Sequence, residues 1–230
     1  SDLLKPGDTV VLVIPIDKAA PKGRLILPQQ QTIRDILEAR AVSVVTPSDR
    51  VAETIAELKK SKAPSLVITD SQVFSEVSKA VPDDIELTSF SILFARHKGN
   101  LYELVRGVSA LESLKDGDKI LISEGCTHHR QCGDIGTEKL PLWISSYTGK
   151  KLSFSFTSGT EFPTDLSPYS MVIHCGGCML NEREMKYRIS CASDQGVPIA
   201  NYGLIIAQTK GILKRSLKPF PKAAALLESR

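Results

Sequence analysis

Residues 9–16 read TVVLVIPI, and this stretch is the strongest indication of the fold class. It is a continuous apolar run of largely β-branched residues, which is typical of a strand buried on both faces of a parallel sheet. Shorter apolar runs follow at 42–45, 65–69 and 85–87, and helical patterns separate the first three. The helix between the third and fourth runs is expected at 73–81. This alternation predicts a parallel sheet with right-handed crossovers.

The second half of the chain restarts the same alternation. Its first two strands are expected at Lys119–Ser123 and 152–156, and the next two at Met171–His174 and 198–202. Helices are expected at 101–114, 136–147, 181–193 and 204–216. We therefore predict an α/β fold of two consecutive domains, each built on a mainly parallel sheet flanked by helices. A boundary near Gly99 divides the chain into residues 1–99 and 100–230.

Composition limits the classes of protein to which this chain can belong. A length of 230 residues suits two domains. The net charge of +3, without a block of like charges, sets no expectation of nucleic-acid binding. No apolar run reaches about 18 residues, so no membrane span is expected. The chain starts at Ser1 without Met or a secretory signal, which suggests a fragment of a longer protein.

Most of the residues that could bind a metal lie in two short motifs, Cys126-Thr-His128 and His174-Cys175-Gly-Gly-Cys178. Together they read C-x-H-x45-H-C-x-x-C. Thiolates and imidazoles are soft or borderline metal ligands, so their clustering is typical of a metal site. An odd number of cysteines, five, argues against a disulfide framework and favours metal or redox chemistry in a reducing compartment. We therefore expect a cytoplasmic protein.

Both motifs follow the carboxyl ends of predicted parallel strands, where ligands bind in open α/β sheets. Cys126 and the Cys175/Cys178 pair are therefore expected to converge. Gly176 and Gly177 allow a tight loop, and their N–H groups can donate to cluster sulfurs. The helix that begins near Asn181 directs its positive end towards an anionic cluster.

The residues alone leave several kinds of site open. Three thiolates without an obvious fourth favour an iron-sulfur cluster with one exchangeable iron, because a structural zinc site normally has four protein ligands. A zinc site with Cys3His ligation stays open, as does an electron-transfer or catalytic iron-sulfur protein. The deaminase pattern lacks its glutamate, since His128 stands in that position. A thioredoxin-like site is disfavoured because the C-x-x-C lies late in the chain.

Three histidines and two further cysteines remain as candidates. His128, His129 and His174 are each suited to bind metal, shuttle protons or support a ligand, and His174 ends a strand where its side chain can point away from the cluster. Cys132 is close enough in sequence to Cys126 to supply a fourth thiolate. Cys191 lies in the middle of a predicted helix, where core packing is its expected role.

The motif pair, with its context IHCGGCMLN, resembles the cluster-binding domain of the FeFe-hydrogenase maturation GTPase family, HydF. Residues 17–37, DKAAPKGRLILPQQQTIRDIL, are similar to the start of the dimerisation domain of that family. Together the two segments extend the resemblance over essentially the whole chain. They also occur in the order that the family requires.

This resemblance implies a protein of three domains, a GTPase, a dimerisation domain and a 4Fe-4S domain. The family serves as a scaffold or carrier for the diiron subcluster of hydrogenase, received from radical-SAM maturases and delivered to apo FeFe-hydrogenase. By position, the family's cluster ligands become Cys126, Cys175 and Cys178, and its motif histidines become His128 and His174. No G-x-x-x-x-G-K-[ST] occurs in the chain, so we expect a fragment without the GTPase domain and predict no GTP hydrolysis.

Two further expectations follow from this reading. Residues 1–99 are expected to form a homodimer interface, mainly because of the resemblance. An exchangeable iron of the cluster is expected to hold a diiron precursor transiently, with Arg130, Lys139 or Arg183 offsetting the negative charge. No nucleic acid or membrane partner is expected.

Overall fold

The fold was examined in a computed structural model that describes residues 2–16, 25–125 and 134–228. These residues form two compact units. The first runs up to Phe90 and includes Ile212–Ala224, and the second consists of Ser91–Gly211 with the residues from Ala225 onward. Each unit is built on its own four-stranded parallel sheet flanked by helices, as the sequence predicts.

The first sheet has the strand order β2 (Val42–Thr46), β1 (Thr9–Val13), β3 (Leu66–Thr69), β4 (Glu86–Ser89). Strand β1 lies at its centre, and residues 10–13 are fully buried because the neighbouring strands and the layers on both faces exclude water from this apolar run. Strand β2 lies at an edge, where Val42 and Val45 remain 53% and 51% exposed. The elements of this unit are β1 Thr9–Val13, α1 Leu27–Glu38, β2 Val42–Thr46, α2 Val51–Lys59, β3 Leu66–Thr69, α3 Phe74–Ala80 and β4 Glu86–Ser89.

The end of the chain returns to this first unit. Helix α10, Leu213–Ser216, packs on β4, and α11, Pro221–Ala224, follows it. The guanidinium of Arg215 donates hydrogen bonds to the backbone carbonyls of Val81, at 2.6 Å, and Pro82, at 2.8 Å, and also to that of Ser78. The first unit is therefore assembled from two separate stretches of sequence.

The second sheet has the strand order β6 (Ser153–Thr157), β5 (Lys119–Ser123), β7 (Met171–His174), β8 (Ile199–Asn201), and its strands are again all parallel. Its two central strands, β5 and β7, are buried along nearly their whole length. A single π-helical turn, Ile135–Lys139, leads into α7. The elements are α4 Phe90–Lys98, α5 Leu101–Val108, α6 Ala110–Ser113, β5 Lys119–Ser123, α7 Leu140–Thr148, β6 Ser153–Thr157, β7 Met171–His174, α8 Glu182–Asp194, β8 Ile199–Asn201 and α9 Tyr202–Thr209.

Three differences from the predicted helices stand out in the chain after β4. The helix expected over 101–114 is divided into α5 and α6, and the helix expected over 204–216 is divided into α9 and α10. Helix α4 was not predicted at all. It begins with Phe90, the residue that follows the last residue of β4, without an intervening turn.

Candidate metal centre

The two motifs leave the sheet side by side. Strands β5 and β7 are hydrogen-bonded neighbours, and their last residues, Ser123 and His174, lie opposite each other in the register. This arrangement confirms that both motifs follow the carboxyl ends of adjacent parallel strands. Five candidate residues that follow β5 lie outside the described residues: Cys126, His128, His129, Arg130 and Cys132.

The thiol of Cys175 is held at the start of the C-x-x-C loop. Its backbone N–H donates to the carbonyl of Ser123 at 2.9 Å, which extends the pairing of the two strands by one residue. Its Sγ accepts hydrogen bonds from the backbone N–H groups of Gly125, at 3.0 Å, and Gly177, at 3.4 Å. Donors directed at a sulfur stabilise a thiolate, and the same pattern surrounds the ligand sulfurs of iron-sulfur sites.

Both donor positions require glycine. Gly177 has a φ of +60°, a left-handed conformation that other residues rarely adopt, and a Cβ there would lie 2.4 Å from the Sδ of Met185. A Cβ at Gly125 would lie 2.7 Å from two side-chain atoms of Leu180. A side chain at either position would therefore push against Met185 or Leu180 and disturb the loop that presents these N–H groups to the sulfur.

Cys178 lies in a turn closed by a hydrogen bond of 3.1 Å from the N–H of Leu180 to the carbonyl of Gly177. After this turn, Asn181 caps α8, because its Oδ1 accepts the N–H of Glu184 at 2.8 Å. The ammonium of Lys98, at the end of α4, donates to the carbonyls of Cys178 and Leu180 at 2.9 Å each and to that of Gly177 at 3.4 Å.

His174 is fully buried, and protein groups engage both of its ring nitrogens. Nδ1 lies 2.8 Å from the carbonyl of Cys175, and Nε2 lies 3.0 Å from Nη1 of Arg188. A guanidinium only donates, so Nε2 accepts and Nδ1 carries the proton that it donates to Cys175. Burial is the main cause that lowers the pKa of His174 to about 4, and the positive charge of Arg188 acts in the same direction. The ring is therefore neutral at pH 7.

Arg188 is the largest of the fully buried side chains, and sequence reasoning missed it. Besides His174, its guanidinium donates to Oε1 of Glu184 at 2.7 Å, to the carbonyl of Gly159 at 2.9 Å and to Oγ of Ser123 at 3.4 Å. The ring of Phe162 lies 5.1 Å from the guanidinium carbon, within the range of a cation–π contact. This one side chain thus ties together α8, the ends of β5 and β7, and the segment after β6.

A buried carboxylate lies at the end of β5, just before the first motif. Glu124 follows β5 directly, and its Oε1 accepts a hydrogen bond of 3.3 Å from the hydroxyl of Tyr202, the first residue of α9. Burial raises the pKa of Tyr202, and the charges of Glu124 and Cys175 raise it further. The phenol therefore stays protonated and serves as a hydrogen-bond donor beside the Cys175 thiol.

The other candidates take no part in the described arrangement. Cys191 is half-buried on α8, rather than in the core as expected. Arg183 is exposed in the first turn of α8, and Lys139 ends the π-helical turn. Within residues 2–16, 25–125 and 134–228, no three His, Cys, Asp or Glu side chains are grouped to hold a metal ion. Two of the predicted thiol ligands, Cys175 and Cys178, lie in these ranges.

Two of the solved structures that align with this chain span nearly its whole length but show little similarity to it. An NtrC family transcriptional regulator from Clostridium acetobutylicum is 12% identical, with 90% of this chain and 97% of that chain covered and a TM-score of 0.26. An ABC transporter solute-binding protein from Burkholderia multivorans is 10% identical, with 98% and 94% covered and a TM-score of 0.26. No curated protein matches the chain. Likenesses this weak support no argument about fold or function.

Comparison with protein families is decisive. Residues 1–99 match the hydrogen maturase F dimerization domain. Residues 102–219 match the hydrogen maturase F tetramerization domain, which contains both cysteine motifs. The two matches are adjacent, occur in the order that the resemblance predicts and cover nearly the whole chain. The chain therefore belongs to the hydrogen maturase F family, HydF.

Proposed function

We propose that this chain binds a 4Fe-4S cluster through Cys126, Cys175 and Cys178, and that it carries a diiron precursor to apo FeFe-hydrogenase. Membership of the hydrogen maturase F family places the chain in hydrogenase maturation. Cluster binding and delivery go beyond that assignment. The observation that supports them is the Cys175 thiol, which two backbone N–H groups engage at the end of β7, next to the strand that leads to Cys126.

The described residues fit such a cluster. The ligand thiols are soft donors, and Cys175 and Cys178 are both thiols rather than disulfide sulfurs. The two backbone N–H groups that reach the Cys175 sulfur also suit a cluster ligand, whose negative charge they would offset. When bound by three thiolates, a 4Fe-4S cluster supplies one iron with an exchangeable coordination position, to which a cyanide-bearing precursor can attach.

The rest of the site holds the ligands in place. Gly125 and Gly177 donate to the Cys175 sulfur, and His174 donates to its carbonyl. A direct bond from His174 to iron would require the loss of one of its two hydrogen bonds, so this geometry favours a supporting role for it. Its assignment as a cofactor-binding residue, together with that of His128, stays a prediction.

Self-association follows from the family domains, which are named for dimerization and tetramerization. We propose a homodimer through the first unit, with the diiron precursor supplied by radical-SAM maturases. Among the described residues, no helix combines the length and apolar character needed to cross a bilayer. A cytoplasmic site of action is part of the proposal, because the ligand thiols need a reducing compartment.

The test compares two single cysteine variants under anaerobic conditions. Wild type and Cys191→Ala are expected to contain iron and sulfide and to give the EPR signal of a reduced 4Fe-4S cluster, whereas Cys175→Ala loses that signal. Stoichiometric zinc without sulfide would instead support a zinc-stabilised interaction module. A normal signal in Cys175→Ala would contradict the ligand assignment.

Delivery needs a second assay. Chain loaded with a diiron precursor is mixed with apo-hydrogenase, and hydrogen evolution is measured. Cys178→Ala is expected to give no activation. Equal activation by this variant would show that the cluster site does not carry the precursor. An electron-transfer role would be favoured if Cys132→Ala lost the cluster, because a fourth thiolate would close the exchangeable position.

A further inference from the structure

We infer that Lys98 is a positioning residue of the metal centre: its ammonium holds the turn that carries Cys178 and places a positive charge beside the cluster ligand. This inference rests on the proposed cluster binding. It concerns a residue outside both cysteine motifs, about 80 positions before the second of them.

The geometry of the turn explains why a cation is needed there. The carbonyl oxygens of Gly177, Cys178 and Leu180 converge on one point, which the Nζ of Lys98 occupies. Three carbonyl dipoles that point at each other repel unless a cation or several donors lie between them. An ammonium group has three N–H donors and no acceptor, so it can satisfy all three oxygens at once.

Lys98 is itself held in place. It is half-buried at the end of α4, and its ammonium lies 5.4 Å from the ring centroid of Phe94, one helical turn earlier, at cation–π distance. Both the helix and the turn belong to the second unit. The lysine is therefore directed at the turn by a packed helix rather than by a flexible loop.

Two consequences follow for a bound cluster. First, one of the three carbonyls that Lys98 binds belongs to Cys178, so loss of the ammonium frees the backbone of a ligand residue. Second, a fixed positive charge stabilises the more negative, reduced form of a cluster held by anionic thiolates, and charge near a cluster tunes its potential. Lys98 is thus expected to raise the reduction potential and to slow the loss of iron.

The experiment compares Lys98→Met with Lys98→Arg, and uses Lys186→Met as the control. Lys186 is an exposed lysine on α8 that pairs with Glu182, so it tests for a general effect of surface charge. Each chain is reconstituted anaerobically, and two quantities are measured: the midpoint potential from an EPR-monitored titration, and the rate of iron loss to a chelator. We expect Lys98→Met to have a lower potential and an iron-loss rate higher on the order of tenfold, as for loss of one charged hydrogen bond. Lys98→Arg is expected to fall between it and wild type.

A third measurement needs no cluster. In the metal-free chain, amide hydrogen exchange at 177–181 is expected to be faster in Lys98→Met than in wild type or Lys186→Met. If the wild-type chain bound no cluster, the proposed function would fail, and this exchange measurement would still decide whether Lys98 holds the turn. Unchanged exchange in Lys98→Met, or an unchanged potential in a chain that binds cluster, would overturn the inference.

Discussion

Removal of the Arg188 guanidinium is expected to destabilise the second unit strongly. The Arg188→Met change keeps much of the side-chain volume but removes every donor. It leaves Nε2 of the fully buried His174 and the carbonyl of the half-buried Gly159 without the guanidinium, and an unsatisfied buried acceptor costs about 1–3 kcal/mol. The Glu184 carboxylate loses its partner too, but its side chain is 36% exposed and regains water. We therefore expect a loss of about 2–4 kcal/mol in the free energy of unfolding, which comes mainly from the acceptor on His174.

The assay is urea unfolding of the metal-free chain, followed by circular dichroism. Arg183→Met is the matched control, since Arg183 lies on the exposed face of the same helix, and a change within about 0.5 kcal/mol is expected for it. Adding Glu184→Gln to Arg188→Met is expected to change this loss little, because the half-exposed carboxylate regains water in Arg188→Met. A loss below about 1 kcal/mol in Arg188→Met would refute the reasoning, since it would mean that the network contributes little.

Two further predictions concern pH and assembly. In the folded chain the pKa of His174 is about 4, whereas in the unfolded chain it returns to its ordinary value of 6.5. Between these two values the unfolded chain takes up a proton that the folded chain does not. The metal-free chain is therefore expected to lose about 3 kcal/mol of stability as the pH falls from 6.5 to about 4. His174→Gln should flatten that dependence in urea unfolding at pH 4 to 7, and an unchanged slope in the variant would contradict the assignment. Val45→Lys, at the exposed edge of the first sheet, is expected to shift the assembly towards lower mass by light scattering, whereas Glu86→Lys on the opposite edge strand is not. Equal masses for the two variants would argue against that edge as the dimer interface.

The central strands β1, β5 and β7 were predictable because each is a largely apolar run, which is typical of a strand buried on both faces of a parallel sheet. Lys119–Ser123 and Met171–His174 have the bounds that the sequence predicts, and the other strands differ at their ends. Their adjacency was also predictable, because parallel strands of one sheet present their carboxyl ends at one edge. The position of the two motifs at neighbouring strand ends followed from these two facts.

Charged residues at the site could not be found in this way. Arg188 lies in a predicted helix, where a charged residue is usually exposed, and two of its partners, Ser123 and Gly159, are 65 and 29 residues away. Lys98 ends a helix that the sequence pattern did not reveal, because α4 starts at the residue directly after a strand, without a turn signal. In both cases burial depends on contacts made only in the folded chain, which single-sequence periodicity does not encode.

The return of α10 to the first sheet has a consequence for biosynthesis. Strand β4 is complete by Ser89, but Leu213–Ser216, which pack on it, are synthesised more than 120 residues later. Until then these carbonyls lack the hydrogen bonds that Arg215 donates, and closing so long a loop carries an entropic cost. During translation, the first unit is therefore finished only after most of the second has been synthesised, because it depends on Ile212–Ala224 for its final contacts.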